Sequence, residues 1–416
     1  MRLVKKDVLF MCQFFYPDYV TSASLTTDLA EDLVKKGLSV GVLTGYPKEY
    51  FNGKAVKKEE EYQGISIKRV KYLHLNRRGK LGRLINFLSF FIAILLHVHI
   101  LFQYRCIVVY SSPPILPLIP CLTRSKFMFI AMDIYPDVAL LLGALSEKSI
   151  ITKFMDFINR KVYKRASCVV AVGTEMKQHI LKRGFTDDSK KIQVVSNWYD
   201  KQKISREIHN LGFKSLRNKW PFIVLYSGNM GTCQDLNTIL NCMLRFKNSK
   251  RVLFLFTGHG NKVDQVKTFI RENEISNAQV YGFLLNGDHS DVLNIADCCL
   301  VSLEKGVEGL GVPSKTYSYL AAGKPVLAIM SKETDIVRTL ETYHAGNTVL
   351  QGDVEGLERL IKEYIEDEER LKQCRINALK AYEALYERKL CTEKYYNIIT
   401  TVIEREYRVS VVNQNV

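Results

Sequence analysis

Short apolar runs, each followed by a small polar loop, recur along the chain and set its first-order reading. Val8–Phe15 is apolar throughout and predicts a buried strand, followed by a loop from Tyr16 to Ser24. A helical pattern then runs to about Lys36, Gly37 closes it, and a second strand is expected over Ser39–Thr44. Strand, loop, helix and strand in that order make a parallel βαβ unit. The pattern repeats: Cys106–Tyr110 runs into Ser111-Ser-Pro-Pro114, Phe127–Met132 into Asp133-Ile-Tyr-Pro-Asp137, Cys168–Val172 into Gly173-Thr174, and Ile192–Val195 into Ser196-Asn197. After Trp198 the pattern lapses, and residues 199–220, polar and basic with glycine, read as an interdomain linker or cover. A second series follows, with strands expected at Phe222–Tyr226, Val252–Phe256, Gln279–Tyr281, Cys298–Val301 and Pro325–Ile329, and a helix at Asp235–Arg245. The last sixty or so residues are helical in spacing. The fold class is therefore α/β, with two doubly wound, Rossmann-like domains: 1–198, rejoined by a C-terminal helix from about 394 to 416, and 221–393.

One segment departs from this rhythm. Arg77-Arg78-Gly79-Lys80-Leu81-Gly82-Arg83 leads into Leu84–Phe102, an apolar run interrupted by Asn86, Ser89, His97 and His99. Three readings stay open: a helix lying in a membrane interface, an ordinary buried helix, and a membrane span. The two histidines, two positions apart, fall on different faces of a helix, which argues against a metal pair.

Charge sharpens the picture. The chain has 416 residues and a net charge of +16, and 32 of its Lys and Arg against 17 of its Asp and Glu lie before residue 204. The first domain thus carries almost all the basicity, and its natural partners are anionic. Nucleic acid is set aside, because no helix-turn-helix, zinc-finger or RNA-binding signature accompanies the charge. The ten cysteines are scattered through apolar runs with no Cys-x-x-Cys pair, as expected of free thiols in a reducing cytoplasm and not of a disulfide framework or a zinc site. The start of the chain resembles a signal n-region, yet the apolar stretch after it is short and lacks a cleavage site.

The densest chemistry lies between Glu304 and Ala328. Gly306, Gly309 and Gly311 form a loop that a ligand can approach, Pro313 suits a first helical turn, Ser314 is placed to cap, and Gly323 with Pro325 ends the helix after about two turns. Lys315 in the first turn faces the positive end of the helix dipole, a mildly unfavourable place unless an anion shares it. The stretch reads as a phosphate site, with a solvated surface lysine as the alternative. Ser227-Gly228-Asn229-Met230-Gly231, where the first strand of the second domain ends, reads as a second ligand cradle or a flexible turn. Thr257-Gly258-His259-Gly260 lacks the third glycine of a dinucleotide fingerprint, so a nicotinamide cofactor is not expected.

Taken together, Phe15-Tyr16-Pro17, Ser112-Pro113-Pro114, Asp133-Ile134-Tyr135-Pro136-Asp137, Tyr226 to Gly231, and Val312-Pro313-Ser314-Lys315 to Gly323-Lys324-Pro325-Val326 resemble the retaining glycosyltransferases of family 4. The likeness covers nearly the whole chain and is closest to the branch that builds bacterial O-antigens and capsules, including transferases for N-acetyl-fucosamine. It implies a GT-B fold, in which the second domain binds a nucleotide-sugar donor, expected to be UDP-linked, and the first binds the acceptor across a cleft. No metal and no cofactor are implied. Lys315 with the amides of Gly311 to Ser314 would hold the diphosphate, and Gly228, Asn229, Gly231 and Gly258 would surround the donor. Tyr281 and Phe283 would border the base. Glu308 would be the acid near the donor sugar, with Glu304 as its rival, and Asp133, Tyr16 and Ser22 would face the acceptor.

This sequence departs from the family pattern in three places. Ser318 stands where a glutamate usually contacts the ribose, its spacing from Glu308 is ten residues and not eight, and Asn229 and Gln234 replace a phosphate-binding Arg and Lys. The burden on Lys315 grows accordingly. The resulting expectation is a cytoplasmic transferase, peripheral on the inner face of the cell membrane, that moves a sugar to a polyisoprenyl-diphosphate-linked saccharide. The basic first domain and Leu84–Phe102 would meet the anionic membrane surface. A nucleotide-sugar epimerase of the same fold and a catalytically weak nucleotide-sugar-binding partner in a membrane assembly are the alternatives.

Overall fold

The computed structural model describes residues 5–47, 53, 55–75 and 80–412. The chain divides into two units, of which the first comprises residues 1–196, 310–312 and 389–416. Its elements before the division are β1 (Lys6–Met11), α1 (Thr21–Lys35), β2 (Val40–Gly45), β3 (Glu59–Tyr62), β4 (Ile65–Val70), α2 (Lys80–Leu95), β5 (Tyr104–Tyr110), α3 (Leu118–Leu122), β6 (Phe127–Ala131), α4 (Asp137–Leu141), α5 (Ile150–Arg165), β7 (Cys168–Ala171), α6 (Thr174–Lys182) and β8 (Ile192–Val194). The sheet order is β3-β4-β2-β1-β5-β6-β7-β8, parallel except for β3. Near-continuous Val, Ile, Phe and Met in β1, β5, β6 and β7 suit strands covered on both faces. One face is covered by α2, α3, α5 and α6, whose Phe90, Ile94, Ile119, Ile158, Val162 and Ile180 join a core with Met11, Val109, Phe129 and Ala171.

The second unit holds α7 (Leu211–Lys219), β9 (Phe222–Asn229), α8 (Asn237–Arg245), β10 (Val252–His259), α9 (Val263–Glu272), β11 (Ala278–Tyr281), α10 (Asn286–Ile295), β12 (Cys298–Ser302), α11 (Lys315–Ala321), β13 (Val326–Ile329), α12 (Asp335–Tyr343), β14 (Gly346–Val349), α13 (Val354–Glu366) and α14 (Glu368–Leu385). Its sheet is parallel, in the order β11-β10-β9-β12-β13-β14. Asp297, at the foot of β12, accepts from Arg217 of α7 at 2.5 Å, Arg375 of α14 at 2.6 Å and the amide of Ile223 at 2.8 Å, so one buried carboxylate ties two helices to the central strand. The last helix, α15 (Arg388–Val412), belongs to the first unit from Lys389 on: Thr392 bonds Asp32 at 3.0 Å and Glu393 pairs with Lys36 at 2.5 Å.

Several elements differ from the hydrophobic pattern. Residues 199–220 are not a free linker. They belong to the second unit, where Asn210 caps α7 and Phe213, Leu216 and Trp220 are buried. Three strands escape the pattern, each for a physical reason: β3 reads Glu-Glu-Glu-Tyr and is an antiparallel edge, β4 alternates with Lys68 and Arg69, and β14 is short and half polar. The apolar run Leu84–Phe102 breaks after Leu95 into a 3₁₀ turn, Val98–Gln103. Among the described residues no helix is long and apolar enough to cross a membrane, which removes the spanning reading. The Arg77-Arg78-Gly79 part of its basic lead-in lies outside the described residues.

Arg69 shows why β4 could not be read from hydrophobicity. Its side chain is fully buried, pairs with Glu60 at 2.7 Å, and donates to the carbonyls of Lys57 at 3.1 Å and Tyr16 at 2.7 Å. The guanidinium thus fastens both β3 and the loop after β1. Arg69→Met is expected to leave a carboxylate and two carbonyls unpaired and to destabilise the first unit by about 3 kcal/mol, read as an earlier urea midpoint in the chain's unfolding.

Candidate donor site

The strand order of the second unit reverses between β9 and β12, and in open parallel sheets ligands bind beyond the carboxyl ends of the strands at such a switch. The residues there are held in place by neighbouring strand ends. Gly228 adopts φ +129° and Gly258 φ +134°, backbone favoured by glycine alone, and a Cβ on Gly258 would collide with the carbonyl of Gly228. Tyr319 of α11 accepts from the amide of Ser227 at 2.8 Å and donates to its carbonyl at 3.0 Å. Met230 ties the two loops together, its amide on the His259 carbonyl at 2.7 Å and its own carbonyl taking the Lys262 amide at 2.9 Å.

Lys315 lies at the centre of this arrangement. Its ammonium rests over the ring of Tyr226, 3.6 Å from the centroid, and donates to the Asn229 carbonyl at 3.2 Å, with its side chain against Gly228. Among the described residues no carboxylate pairs with it, and burial pushes it well below the usual lysine range. A desolvated cation without an acid partner is stabilised by an arriving anion. The helix adds little: α11 has seven residues, and Ser314, at its N-cap, makes no side-chain capping bond. Its end is as the sequence indicates, with Gly323 at φ +64° and the Lys324 amide on the Tyr319 carbonyl at 2.9 Å.

The other donor residues divide into those that meet and those that do not. Gly228 and Asn229 meet at Lys315, Gly258 backs onto the Gly228 carbonyl, and Gly231 lies against Asn229. Phe283 stands edge-on to His259, 5.3 Å between centroids, making an aromatic wall at the ends of β10 and β11; burial, with Lys315 adding to it, pushes the His259 imidazole down. Tyr281 turns instead to Phe213 and Gln279. Ser318 is buried and donates to the Lys315 carbonyl at 2.8 Å, so its hydroxyl is used within the helix instead of being offered to a ligand. Gln234 accepts from the Gly231 amide at 2.9 Å and shapes the loop.

Both acids are engaged by groups of the protein. Glu308 accepts from the Gly306 amide at 2.7 Å, from Ser331 Oγ at 2.6 Å and from Gln351 at 3.0 Å. Burial alone would raise its carboxyl, but these bonds outweigh it and hold the group below the usual range, which makes it a clamp on its own loop. Glu304 pairs with Lys262 at 2.7 Å, and the same ammonium reaches the Gln234 carbonyl at 2.7 Å. Lys262 is the cation the sequence reading missed. It stands two positions after Thr257-Gly258-His259-Gly260, a stretch read only for a dinucleotide fingerprint.

In the first unit, Asp133 bridges to Gly311, its amide donates to Ser111 Oγ at 3.1 Å, and the residue lines a small cavity with Tyr135 and Asn159. Burial pushes it up to about 6. Tyr16 stacks on Tyr62, 3.8 Å between centroids, and Ser22 lies in the first turn of α1.

Residues 207–381 match the family model described as Glycosyl transferases group 1. The chain is 30% identical over 260 residues to "Probable glycosyltransferase WbjE" of Pseudomonas aeruginosa, covering 60% of this chain and 62% of that one. It is 25% identical over 121 residues to "Putative colanic acid biosynthesis glycosyl transferase WcaI" of Escherichia coli (strain K12), 29% of this chain and 30% of that one. The chain thus matches less than two thirds of the length of either relative. Among solved structures, sucrose-phosphate synthase from Thermosynechococcus elongatus superimposes with a TM-score of 0.77 at 13% identity, over 96% of this chain and 100% of that one. Anabaena HepE in complex with UDP and glucose does so with a TM-score of 0.73 at 14% identity, over 95% and 100%. The fold is GT-B, two α/β units with parallel sheets.

The raised Asp133 gives a pH signature. The folded chain holds its proton to about pH 6 while an unfolded Asp releases it near 4, so stability is lost as pH rises through that window. Asp133→Asn is expected to raise the melting temperature by about 2–4 °C near pH 7.5, the gain disappearing near pH 4, as calorimetry at the two pH values would record.

Proposed function

With residues 207–381 a group 1 glycosyltransferase region as the premise, we propose that the chain is a glycosyltransferase that takes a sugar from a nucleotide-sugar, UDP-linked, with retention. Its acceptor is a polyisoprenyl-diphosphate-linked saccharide in surface polysaccharide assembly. The observation that carries the reading is Lys315, a half-buried ammonium with no acid partner among the described residues, at the switch point of the matched region. The name of WbjE supports glycosyl transfer and that of WcaI a role in polysaccharide assembly, and the HepE complex supports a UDP donor.

In this account the diphosphate lies against Lys315, with Lys262 as a second cation within the same pair of loops. As the bond from the sugar's anomeric carbon to the diphosphate oxygen breaks, the leaving group gains charge, and a fixed cation in a dry site stabilises it. The acceptor hydroxyl bonds to that carbon on the same face, and its proton passes to the departing diphosphate. The base stacks at Phe283 and His259. Asp133 and the Tyr16–Ser24 loop hold the acceptor, and the basic first unit with the exposed leucine face of α2 attaches the protein to an anionic membrane surface.

Lys315→Ala is expected to lower turnover about 10²–10³-fold and to weaken nucleoside diphosphate binding, with the melting curve unchanged. Near-normal turnover would overturn the assignment. Release of nucleoside diphosphate without sugar transfer, or isomerisation of the donor without an acceptor, would replace it by a different activity. For the membrane, Leu88→Asp with Leu95→Asp is expected to lower binding to vesicles containing phosphatidylglycerol about tenfold or more, measured by co-sedimentation of folded protein.

A further inference from the structure

The helix layer that covers one face of the first unit's sheet is apolar on its outer side as well as its inner side. In α2, Phe90 and Ile94 enter the core while Leu84, Leu88, Ile92 and Leu95, on the opposite face, are exposed. The same double character recurs in α5, which the hydrophobic pattern did not single out. Ile158 and Val162 pack into the same core, yet Ile150, Phe154 and Phe157 are 86%, 51% and 53% exposed at i, i+4 and i+7 spacing. Between these helices α3 ends on Leu122, 63% exposed, with Cys121 touching the Lys161 carbonyl of α5 at 3.8 Å. Both apolar stripes thus belong to helices laid on one sheet face.

Charge identifies what covers them. Along Ile150–Arg165 there are five basic residues, Lys153, Arg160, Lys161, Lys164 and Arg165, and one acid, Asp156, which is taken up by Arg183 at 2.6 Å. Lys161 lies over the Phe157 ring, 4.5 Å from its centroid, so ring and ammonium share one surface point. An apolar ridge rimmed by ammonium groups fits the boundary between the acyl chains and the headgroups of an anionic bilayer. A protein partner's apolar face would leave this excess of positive charge unmatched.

We propose that α5, through Ile150, Phe154 and Phe157, is a second foothold on an anionic phospholipid bilayer, so that the membrane is met by the outer face of the whole α2–α3–α5 layer and not by α2 alone. The inference rests on the membrane reading above. Two contacts fix the orientation of the first unit on the bilayer, whereas a single helix would leave it free to rotate. The α5 residues belong to the first unit, and Lys315, Asn229 and Phe283 of the donor site to the second.

The test is co-sedimentation of the full chain with vesicles of phosphatidylcholine alone and of phosphatidylcholine with phosphatidylglycerol, alongside light scattering and UDP binding. Phe154→Asp with Phe157→Asp is expected to lower binding to the anionic vesicles about tenfold, while Phe154→Leu with Phe157→Leu retains it. Lys153→Glu with Lys161→Glu is expected to lose binding to the anionic vesicles selectively. UDP binding and melting temperature should be those of the wild type in every variant. If the α5 pair binds vesicles like the wild type while Leu88→Asp with Leu95→Asp releases them, the α5 foothold is wrong and the membrane reading stands. If the wild type binds neither vesicle, the membrane reading fails. A dimer that becomes monomeric in the α5 variants, with vesicle binding intact, would mean that a second copy of the chain covers the face and would overturn the proposal.

Discussion

A lysine ammonium laid on a tyrosine ring, with only a backbone carbonyl to receive its proton, is the interaction on which the donor site depends. Lys315 over Tyr226 is half-buried with, among the described residues, no acid to balance it, so the surrounding fold must hold it there. The elements that do so are visible: Gly228 gives the side chain room, Tyr319 pins the end of β9 through both polar groups of Ser227, and Met230 joins the loops after β9 and β10. Each of these would be needless expense at a turn with no ligand. They make sense around a fixed positive charge that an incoming diphosphate neutralises.

Where the acids sit refines that account. Glu308 is bound by Ser331, Gln351 and the Gly306 amide, and Glu304 by Lys262, so both act first on the protein and orient the loop between β12 and α11. Ser318, in place of a ribose-binding carboxylate, is closed off inside its own helix. In the proposed donor pose, the contacts beyond the phosphates would fall to the aromatic pair His259 and Phe283 and to the strand-end backbone. Lys262 brings a cation to Glu304 and the Gln234 carbonyl from a different loop, which a comparison by position in sequence does not reveal.

Much of the fold was legible because parallel strands covered on both faces leave unbroken apolar runs, as in β1, β5, β6, β9, β10 and β12. The strands that stayed hidden are those whose stability comes from elsewhere: β3 from an edge pairing, β4 from the buried Arg69, β14 from a short parallel ladder at a sheet margin. Residues 199–220 looked like a linker because only Phe213, Leu216 and Trp220 mark a buried stripe there, and the other anchors are capping and ion-pair bonds from Asn210 and Arg217. Lys315 was found from its place in a helix start flanked by glycine and proline. Lys262 and Arg69 were not, since a lysine or arginine in sequence carries no mark of which backbone carbonyl it will reach.

The central claim is that Lys315 awaits a diphosphate, and the most direct measurement is proton uptake on UDP binding, from titration calorimetry in buffers of different ionisation enthalpy. Burial favours the neutral amine in the free protein, so at alkaline pH binding should draw in a proton, and Lys315→Ala should abolish that uptake. Tight UDP binding with no proton uptake in the wild type, and equal affinity in Lys315→Ala, would contradict the account.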